Sequence, residues 1–306
     1  GTWLNWLIVA RRLRRYSANL DAITVPQFLS LRFHDQRNLL NALGAVIIIV
    51  FFIPYTASGF AACGKLFNSL FGVDYMAAMV LSAVVIVGYT AAGGFLAASI
   101  TDLVQSIIMT VAILFVLVYA TVQAGGMGAV LENARALPGY LSFTSTYTAS
   151  GAAPYHFLTI VSTLAWGLGY FGMPHILLRF MAIEDEKKLV VSRRVGSVWV
   201  VIAMFLAVMI GVVGNALTAS GTIQSLSGSA SETIVIQIAT LLSKAGILPA
   251  LMAGLILAGI LASTMSTADS QLLAASSSVS QNLLQDTLGL KLSQKSSMLA
   301  ARLTVV

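Results

Sequence analysis

The sequence predicts an all-α polytopic membrane protein, and two observations carry this prediction. Of the 306 residues, 58% are hydrophobic and only 9% are charged, whereas a soluble domain usually carries about a quarter charged residues. The apolar residues also form runs of about twenty or more, as helices that span a bilayer require. Such runs are unlike the short alternating strands of an outer-membrane barrel. The mean hydropathy of +0.90 agrees with both observations.

Six apolar segments are each long enough to cross about 30 Å of hydrocarbon at about 1.5 Å per residue. The predicted spans are 38–66, 75–98, 102–124, 156–181, 193–217 and 246–283. Between them lie a Gly/Ser/Thr/Tyr-rich loop at 125–155 and a connection at 218–245, which contains the short amphipathic helix pattern "SETIVIQIATLLSKAG".

The two ends of the chain run into apolar stretches, so we expect it to be the middle of a longer polytopic protein. Residues 1–37 are predicted to hold the end of a preceding span and a basic loop, and residues 38–306 the membrane core. A single cysteine, Cys63, excludes an intrachain disulfide.

Lysine and arginine are distributed unequally between the two sides that this span count defines. One side carries 14 of the 17 basic residues and the other only 3, so the positive-inside rule places the rich side in the cytoplasm. Residues 10–37, 179–194 and 284–302 are therefore predicted to be cytoplasmic. This topology explains the net charge of +6 without a nucleic-acid partner. The cluster Arg-Arg-x-Arg-Arg at 11–15 is interpreted as a solvated anchor beside the lipid bilayer.

The fourth predicted span contains an unusual concentration of helix-breaking residues. The stretch "WGLGYFGMPH", residues 166–175, holds three glycines and Pro174, which disfavour a continuous helix. Freed backbone groups are tolerated at membrane depth only where protein or a watery cavity receives them, as in the discontinuous helices of secondary transporters. The break therefore predicts a site for a small solute. Trp166 and Tyr170, four residues apart, would share one face toward that solute or lie in an interfacial aromatic belt.

The sixth span carries a row of hydroxyl side chains. At about 100° per residue, Ser263, Ser266, Thr267 and Ser270 fall on one face of a helix. Hydroxyls in membrane helices often bond only to helix carbonyls, but four on one face indicate a hydrophilic lining. Hydroxyl and carbonyl oxygens are also the hard ligands that a small alkali cation requires.

Two carboxylates lie within or beside the predicted spans, where ionisable groups are costly and are by default functional hypotheses. Asp269 lies inside the sixth span, and Asp102 opens the third span in "ASITDLVQS". Asp102 and the preceding Thr101 also occupy the position of a helix cap, so a purely structural role stays open. Tyr55 follows Pro54 at a candidate kink in the first span.

The sequence contains no pattern of an enzyme active site. It has no HExxH, nucleophile elbow, Walker loop or GxGxxG, and its three histidines show no ligand spacing. An ion channel would need a repeated pore signature or rings of charge, and the single interrupted helix argues against one. With an enzyme and an ion channel disfavoured, a transporter is the protein class that the sequence favours.

At these residues the chain resembles the sodium/solute symporter family, most closely its sodium/proline symporters. The resemblance covers essentially the whole chain and is most specific in "WGLGYFGMPHILLRFMA" and "MSTADSQLLAASSSV". It implies the leucine-transporter-like inverted-repeat fold, in which two five-helix units are related by a pseudo-two-fold axis in the membrane plane. The first three full spans would then close one repeat and the next three would open the other.

The resemblance also implies roles for individual residues. Ser266 and Thr267 match the sodium-binding hydroxyl pair, and Ser263 contributes a backbone carbonyl. Asp102 matches an aspartate associated with sodium dependence. In the family this sodium site also takes backbone oxygens from an earlier broken helix, and no segment of this chain corresponds to it. The substrate-binding residues implied are Tyr55, Trp166, Tyr170 and Pro174.

The function expected from the resemblance is inward symport of a small amino acid, with proline as the expected solute, coupled to sodium as the cation. Coupling to a proton through Asp102 or Asp269, or transport of a sugar or carboxylate by the same fold, is the alternative. The hydroxyl pair favours sodium, because a proton requires a titrating carboxylate whereas sodium requires only oxygens. The expected partners are the solute, sodium and the lipid bilayer of the cell membrane.

Overall fold

A computed structural model describes residues 1–148 and 150–306 as an almost entirely helical chain. Its helices are α1 Thr2–Asn5, α2 Arg11–Asn19, α3 Val25–Arg32, α4 Leu39–Phe71, α5 Tyr75–Gln123, α6 Met127–Ala136, α7 Phe157–Gly169, α8 Pro174–Ala182, α9 Lys188–Ala219, α10 Ile234–Ser243, α11 Ile247–Ser277 and α12 Gln294–Val305. Two segments have π-helical geometry, Trp6–Ala10 and Ser278–Thr287, and Gly228–Thr233 forms a 3-10 helix. Strands β1 Ser145–Thr148 and β2 Gly151–Pro154 pair in an antiparallel hairpin.

The longest helix, α5, contains a sharp break. Gly94 adopts φ 61° and ψ −158°, so two helices meet there, and this backbone conformation strongly favours glycine. An unbroken α5 would be more than twice as long as the hydrocarbon core of about 30 Å is thick. The break leaves two pieces that are each long enough to cross it. They correspond to the predicted spans 75–98 and 102–124, with the boundary at Gly94 rather than at 99–101.

Four helical stretches among the described residues are long and apolar enough to cross a membrane. They become five when α7 and α8, which are bent by 43° relative to each other, count as one span. Dividing α5 at Gly94 gives six, which matches the predicted number.

The connections contain more regular structure than the sequence predicted. The loop predicted at 125–155 holds α6 and the β-hairpin, and the basic segment 10–37 holds α2 and α3. The two four-residue strands were not predicted, because residues 137–155 are rich in Gly, Ser and Thr, which are typical of turns. The predicted amphipathic helix at 218–245 is present as α10.

The chain divides into two compact units, each with its own apolar core. The first comprises Gly1–Gln105, Gly167–Ser197 and Ser263–Val306, and the second Ser106–Trp166 and Val198–Ala262. In the first unit, side chains of α2, α3 and α8 form a core centred on Phe180, whose ring lies 4.5 Å from that of Trp6. In the second unit, one larger core joins residues of α6, α9 and α10 around Val213, Leu217 and Ile238.

A buried amide network fixes the end of the hydroxyl-bearing helix within the first unit. Asn282, in the π-helical segment after α11, donates to Thr24 Oγ1 at 2.6 Å and to Asn41 Oδ1 at 2.8 Å. Asn41 in turn donates to Asp286 Oδ2 at 3.1 Å. Asn41 and Asn282 are fully buried, so these bonds replace part of the water that the two amides lose on folding. The network ties α11 to α4 and to the start of α3.

Candidate functional site

The interrupted span is built as two helices with a short non-helical connection. Helix α7 ends at Gly169, and α8 begins with Pro174 as its first residue, where a missing backbone N–H costs nothing. Between them, Phe171 N–H donates to Leu168 O and Gly172 N–H donates to Gly169 O, both at 3.1 Å. The carbonyl of Tyr170 accepts a hydrogen bond of 2.6 Å from the buried amide of Asn5. The glycines and Pro174 therefore break the helix as predicted.

The aromatic residues of this break differ in their exposure. The side chain of Trp166 is 81% exposed, and α7 buries none of its residues. Tyr170 is partly exposed, and Pro174 is half-buried. An exposed indole offers its apolar face and its N–H to an incoming group at little cost in folded-state packing.

The hydroxyl face lies on α11, as the sequence predicted. Ser266 Oγ and Thr267 Oγ1 each donate to the backbone oxygen of Ser263 at 3.2 Å. Ser263 and Thr267 are exposed, whereas Ser270, one turn further along, is buried. Three oxygen atoms thus converge on one accessible patch. Each hydroxyl donates its proton to the Ser263 carbonyl and keeps lone pairs that can face a cation.

Helix α4 packs against the same stretch of α11. A Cβ atom at Gly59 would lie 3.5 Å from the Thr264 methyl and 3.8 Å from the Ala268 side chain, so this glycine permits a close approach of the helices. The buried hydroxyl of Thr56 donates to Gln271 Oε1 at 3.2 Å. Tyr55, the next residue toward the N-terminus of α4, is partly exposed, and its carbonyl accepts from Ser58 Oγ at 2.6 Å.

Asp269 is fully buried beside this face. Its Oδ2 accepts a hydrogen bond of 3.0 Å from the hydroxyl of Tyr89, and its Oδ1 lies 3.2 Å from Ser270 Oγ. A buried carboxylate without such donors would be strongly unfavourable. Tyr89 belongs to the first half of α5, so the carboxylate joins two helices of the first unit.

Asp102 forms an ion pair with Arg179 of α8. Arg179 also donates to Ser270 Oγ at 2.7 Å, and Ser270 Oγ lies 3.0 Å from the backbone oxygen of Ser266. A continuous polar chain therefore runs from Asp102 through Arg179 and Ser270 to the hydroxyl face. It connects three helices of the first unit at the level of the candidate cation ligands.

The helix-cap interpretation of Asp102 is wrong. The helix begins at the Gly94 break, several residues earlier, so Asp102 lies inside regular helix. The Thr101 hydroxyl donates backward to the carbonyls of Ala97 and Ala98 at 3.0 and 2.9 Å instead of capping an N-terminus. The cap was predicted at residues 101–102 because the sequence does not show that the helix already breaks at Gly94.

Two members of this cluster were not identified as site residues from the sequence. The charge count treats Arg179 as one of many cytoplasmic charges, and Tyr89 was not singled out. One signal was available for Arg179, because it directly follows the apolar run Ile-Leu-Leu in "PHILLRF", near the end of a predicted span. For Tyr89 no local signal exists, since tyrosine is common in membrane helices.

The donor chemistry of the cluster is that of oxygen. In residues 1–148 and 150–306, no group of three or more histidine, cysteine, aspartate or glutamate side chains could hold a metal ion. Hydroxyl and carbonyl oxygens such as those on α11 are hard ligands, the type that alkali cations prefer.

Comparisons with known proteins match the chain over its full length. The profile of the Sodium:solute symporter family matches residues 1–306. A sodium/proline symporter from Staphylococcus aureus is 38% identical over 310 residues, which is 100% of this chain and 58% of the relative. A second one, from strain USA300 / TCH1516, is 38% identical with 57% of its length covered. The chain thus spans less than two thirds of the length of these relatives.

A solved structure has the same fold. It is the substrate-bound outward-open state of a Na+-coupled sialic acid symporter, which matches with a TM-score of 0.77 at 16% identity over 100% of this chain and 63% of that one. This likeness confirms the predicted all-α, leucine-transporter-like membrane fold. With the family profile matched from the first residue to the last, the chain belongs to the Sodium:solute symporter family.

Proposed function

We propose that the full protein is a secondary active transporter that couples inward movement of a small solute to sodium by alternating access. The observation that carries this proposal is the convergence of Ser263 O, Ser266 Oγ and Thr267 Oγ1 on one accessible face of α11. Sodium is cargo in this scheme, bound transiently by oxygens and released on the other side. Its gradient supplies the free energy for uptake.

For the solute we propose proline. The support is the 38% identity to relatives named sodium/proline symporters, together with the interrupted span that carries Trp166, Tyr170 and Pro174. Proline is small, with an apolar ring and a charged carboxylate and amine. A broken helix offers free backbone groups to the charged end, and exposed aromatic rings suit the apolar end.

Two alternatives are tested by the same measurement. Proton coupling would use one of the buried carboxylates, Asp102 or Asp269, whose burial on facing helices is the observation that favours it. Transport of a different solute, such as the sialic acid that the structural neighbour's name gives, would leave the coupling unchanged.

The experiment is uptake of labelled proline by the full-length protein in proteoliposomes. With an inward sodium gradient we expect accumulation above the external concentration, and with choline in place of sodium we expect only background entry. Excess unlabelled proline should abolish the signal, and excess sialic acid should not. Equal uptake in sodium and choline that a protonophore abolishes would overturn sodium coupling. Sodium-driven entry of sialic acid but not of proline would overturn the substrate.

We predict that Trp166→Ala weakens apparent proline affinity about tenfold with little loss of folded protein. An aromatic platform contributes about 1–2 kcal/mol to binding, and the exposed indole loses few packing contacts within the chain. The measurement is the concentration dependence of uptake, with yield of monodisperse protein as the check on folding.

Trp199 provides the matched control for this prediction. Its indole N–H donates to Thr110 Oγ1 at 2.8 Å and is partly buried. Trp199→Ala should therefore reduce folded yield and leave apparent proline affinity near the wild-type value. Unchanged affinity in Trp166→Ala combined with collapsed yield would show that Trp166 packs and does not bind solute.

A further inference from the structure

A cleft lies on the basic segment that precedes α4, and no residue of the hydroxyl face lines it. A cleft of about 740 Å³ opens between the π-helical turn Trp6–Ala10, α2 and α3. Four guanidinium groups line it, those of Arg11, Arg12, Arg15 and Arg32. The proposed transport mechanism uses none of these residues.

The cleft retains a net positive charge after the ion pairs with Glu186 are counted. Glu186 approaches Arg15 at 2.8 Å and Arg11 at 3.4 Å, and the hydrogen bond from Arg15 holds the pKa of the Glu186 carboxyl below its usual range. This carboxylate pairs with two of the four arginines that line the cleft. Arg32 lies 5.0 Å from the centroid of the Tyr16 ring, a contact that leaves its charge intact. Arg12 is exposed and forms no ion pair with the part of the chain that is described.

The wall of the cleft beneath these charges is apolar. Leu13 and Phe28 are buried at its base, where they belong to the core of the first unit, and Ile8 and Val9 continue the apolar surface toward the N-terminus. A small soluble anion would satisfy the guanidinium groups and leave this wall in contact with water. A ligand with an anionic head and a hydrocarbon tail would satisfy both surfaces.

The position of the cleft along the chain agrees with such a ligand. The apolar turn Trp6–Ala10 is followed at once by the arginines of α2, so the cleft lies at the end of an apolar segment on the side predicted to be cytoplasmic. Anionic phospholipids of the cytoplasmic leaflet attract basic side chains at this depth. A volume of about 740 Å³ falls within the range of about 300–1,000 Å³ that is typical of ligand pockets.

We propose that this cleft binds an anionic phospholipid of the cytoplasmic leaflet. The phosphate lies among Arg12, Arg15 and Arg32, and the acyl chains follow the apolar wall formed by Ile8, Val9 and Leu13. Arg11 and Arg15 remain paired with Glu186.

The test measures lipid binding by the full-length protein in detergent, using native mass spectrometry with phosphatidylglycerol and phosphatidylcholine of the same chain length. We expect at least one phosphatidylglycerol bound at least tenfold more tightly than phosphatidylcholine. The double variant Arg12→Gln/Arg32→Gln, which spares both Glu186 pairs, should lose most of this preference. Arg12→Lys/Arg32→Lys should keep most of it, because the charge is retained.

The matched control is Arg193→Gln/Arg194→Gln. It removes the same two charges from the beginning of α9, outside the cleft, and should keep the preference. Circular dichroism of each variant verifies that the helices are intact. An equal loss in both glutamine pairs would show a diffuse effect of net charge and overturn the proposal. Displacement of phosphatidylglycerol by glycerol 3-phosphate at similar concentration would also overturn it, because the site would then be one for a soluble anion.

Discussion

Replacement of either hydroxyl of the α11 pair, as Ser266→Ala or Thr267→Val, should lower apparent sodium affinity at least tenfold, or about 1.4 kcal/mol. Both changes nearly conserve volume and helix geometry, and each removes one oxygen from the patch around the Ser263 carbonyl. A cation held by few neutral oxygens has no replacement for the lost one. Apparent proline affinity should fall too at limiting sodium, because coupling between two sites is reciprocal.

Thr267→Ser is the control, since it removes a methyl group and keeps the oxygen. We expect its sodium dependence of proline uptake to stay within about twofold of the wild type, which is small beside the tenfold loss in Thr267→Val. A second control is Thr240→Val on α10, where the hydroxyl makes the same kind of bond to a carbonyl one turn back, that of Ile236, but lies on another helix than the α11 patch. The sodium-site proposal fails if Thr267→Val and Thr267→Ser behave alike, or if Thr240→Val has the same effect.

The membrane-spanning helices of this fold could be predicted because each is encoded locally. Apolar runs of bilayer length define the spans, and Gly and Pro at 167–174 mark the interruption. The division of α5 was predicted a few residues too late. A single glycine among small residues, in "AAGGFLAAS", does not distinguish a packing position from a backbone break. Only the positive φ at Gly94 identifies it.

Part of the candidate site could be predicted from the sequence, and part of it could not. The hydroxyl face could be predicted because its residues lie within two turns of one helix, and helical periodicity fixes their common side. The ion pair between Asp102 and Arg179 could not, because it joins residues 77 positions apart. No periodicity relates those positions, and the packing of α5 against α8 decides which charge meets which. The partner of Asp269 depended on tertiary packing for the same reason.

Arg179→Gln should destabilise the protein more than any other single change in this cluster. The side chain of Asp102 is only 11% exposed, whereas that of Arg179 is 39% exposed. Removal of the arginine therefore leaves a carboxylate with little access to water. Breaking a buried ion pair in this way costs about 3–5 kcal/mol, and we expect the lower end of that range because water reaches the arginine. The measurement is thermal unfolding in detergent, followed by the monodisperse fraction.

Removal of the carboxylate instead of the arginine tests whether the two partners contribute unequally to stability. Asp102→Asn leaves a guanidinium that can be hydrated and that still donates to Ser270, so its midpoint of unfolding should fall less than that of Arg179→Gln. The double variant Arg179→Gln/Asp102→Asn should recover much of the stability lost in Arg179→Gln, because no charge is then left unpaired. Arg194→Gln on α9, outside the cluster, should have little effect.

If the double variant is no more stable than Arg179→Gln, the arginine acts through packing. If Asp102→Asn is as stable as the wild type but its uptake no longer depends on sodium, then Asp102 itself contacts the coupling ion, and the pair with Arg179 holds that carboxylate in place for the cation.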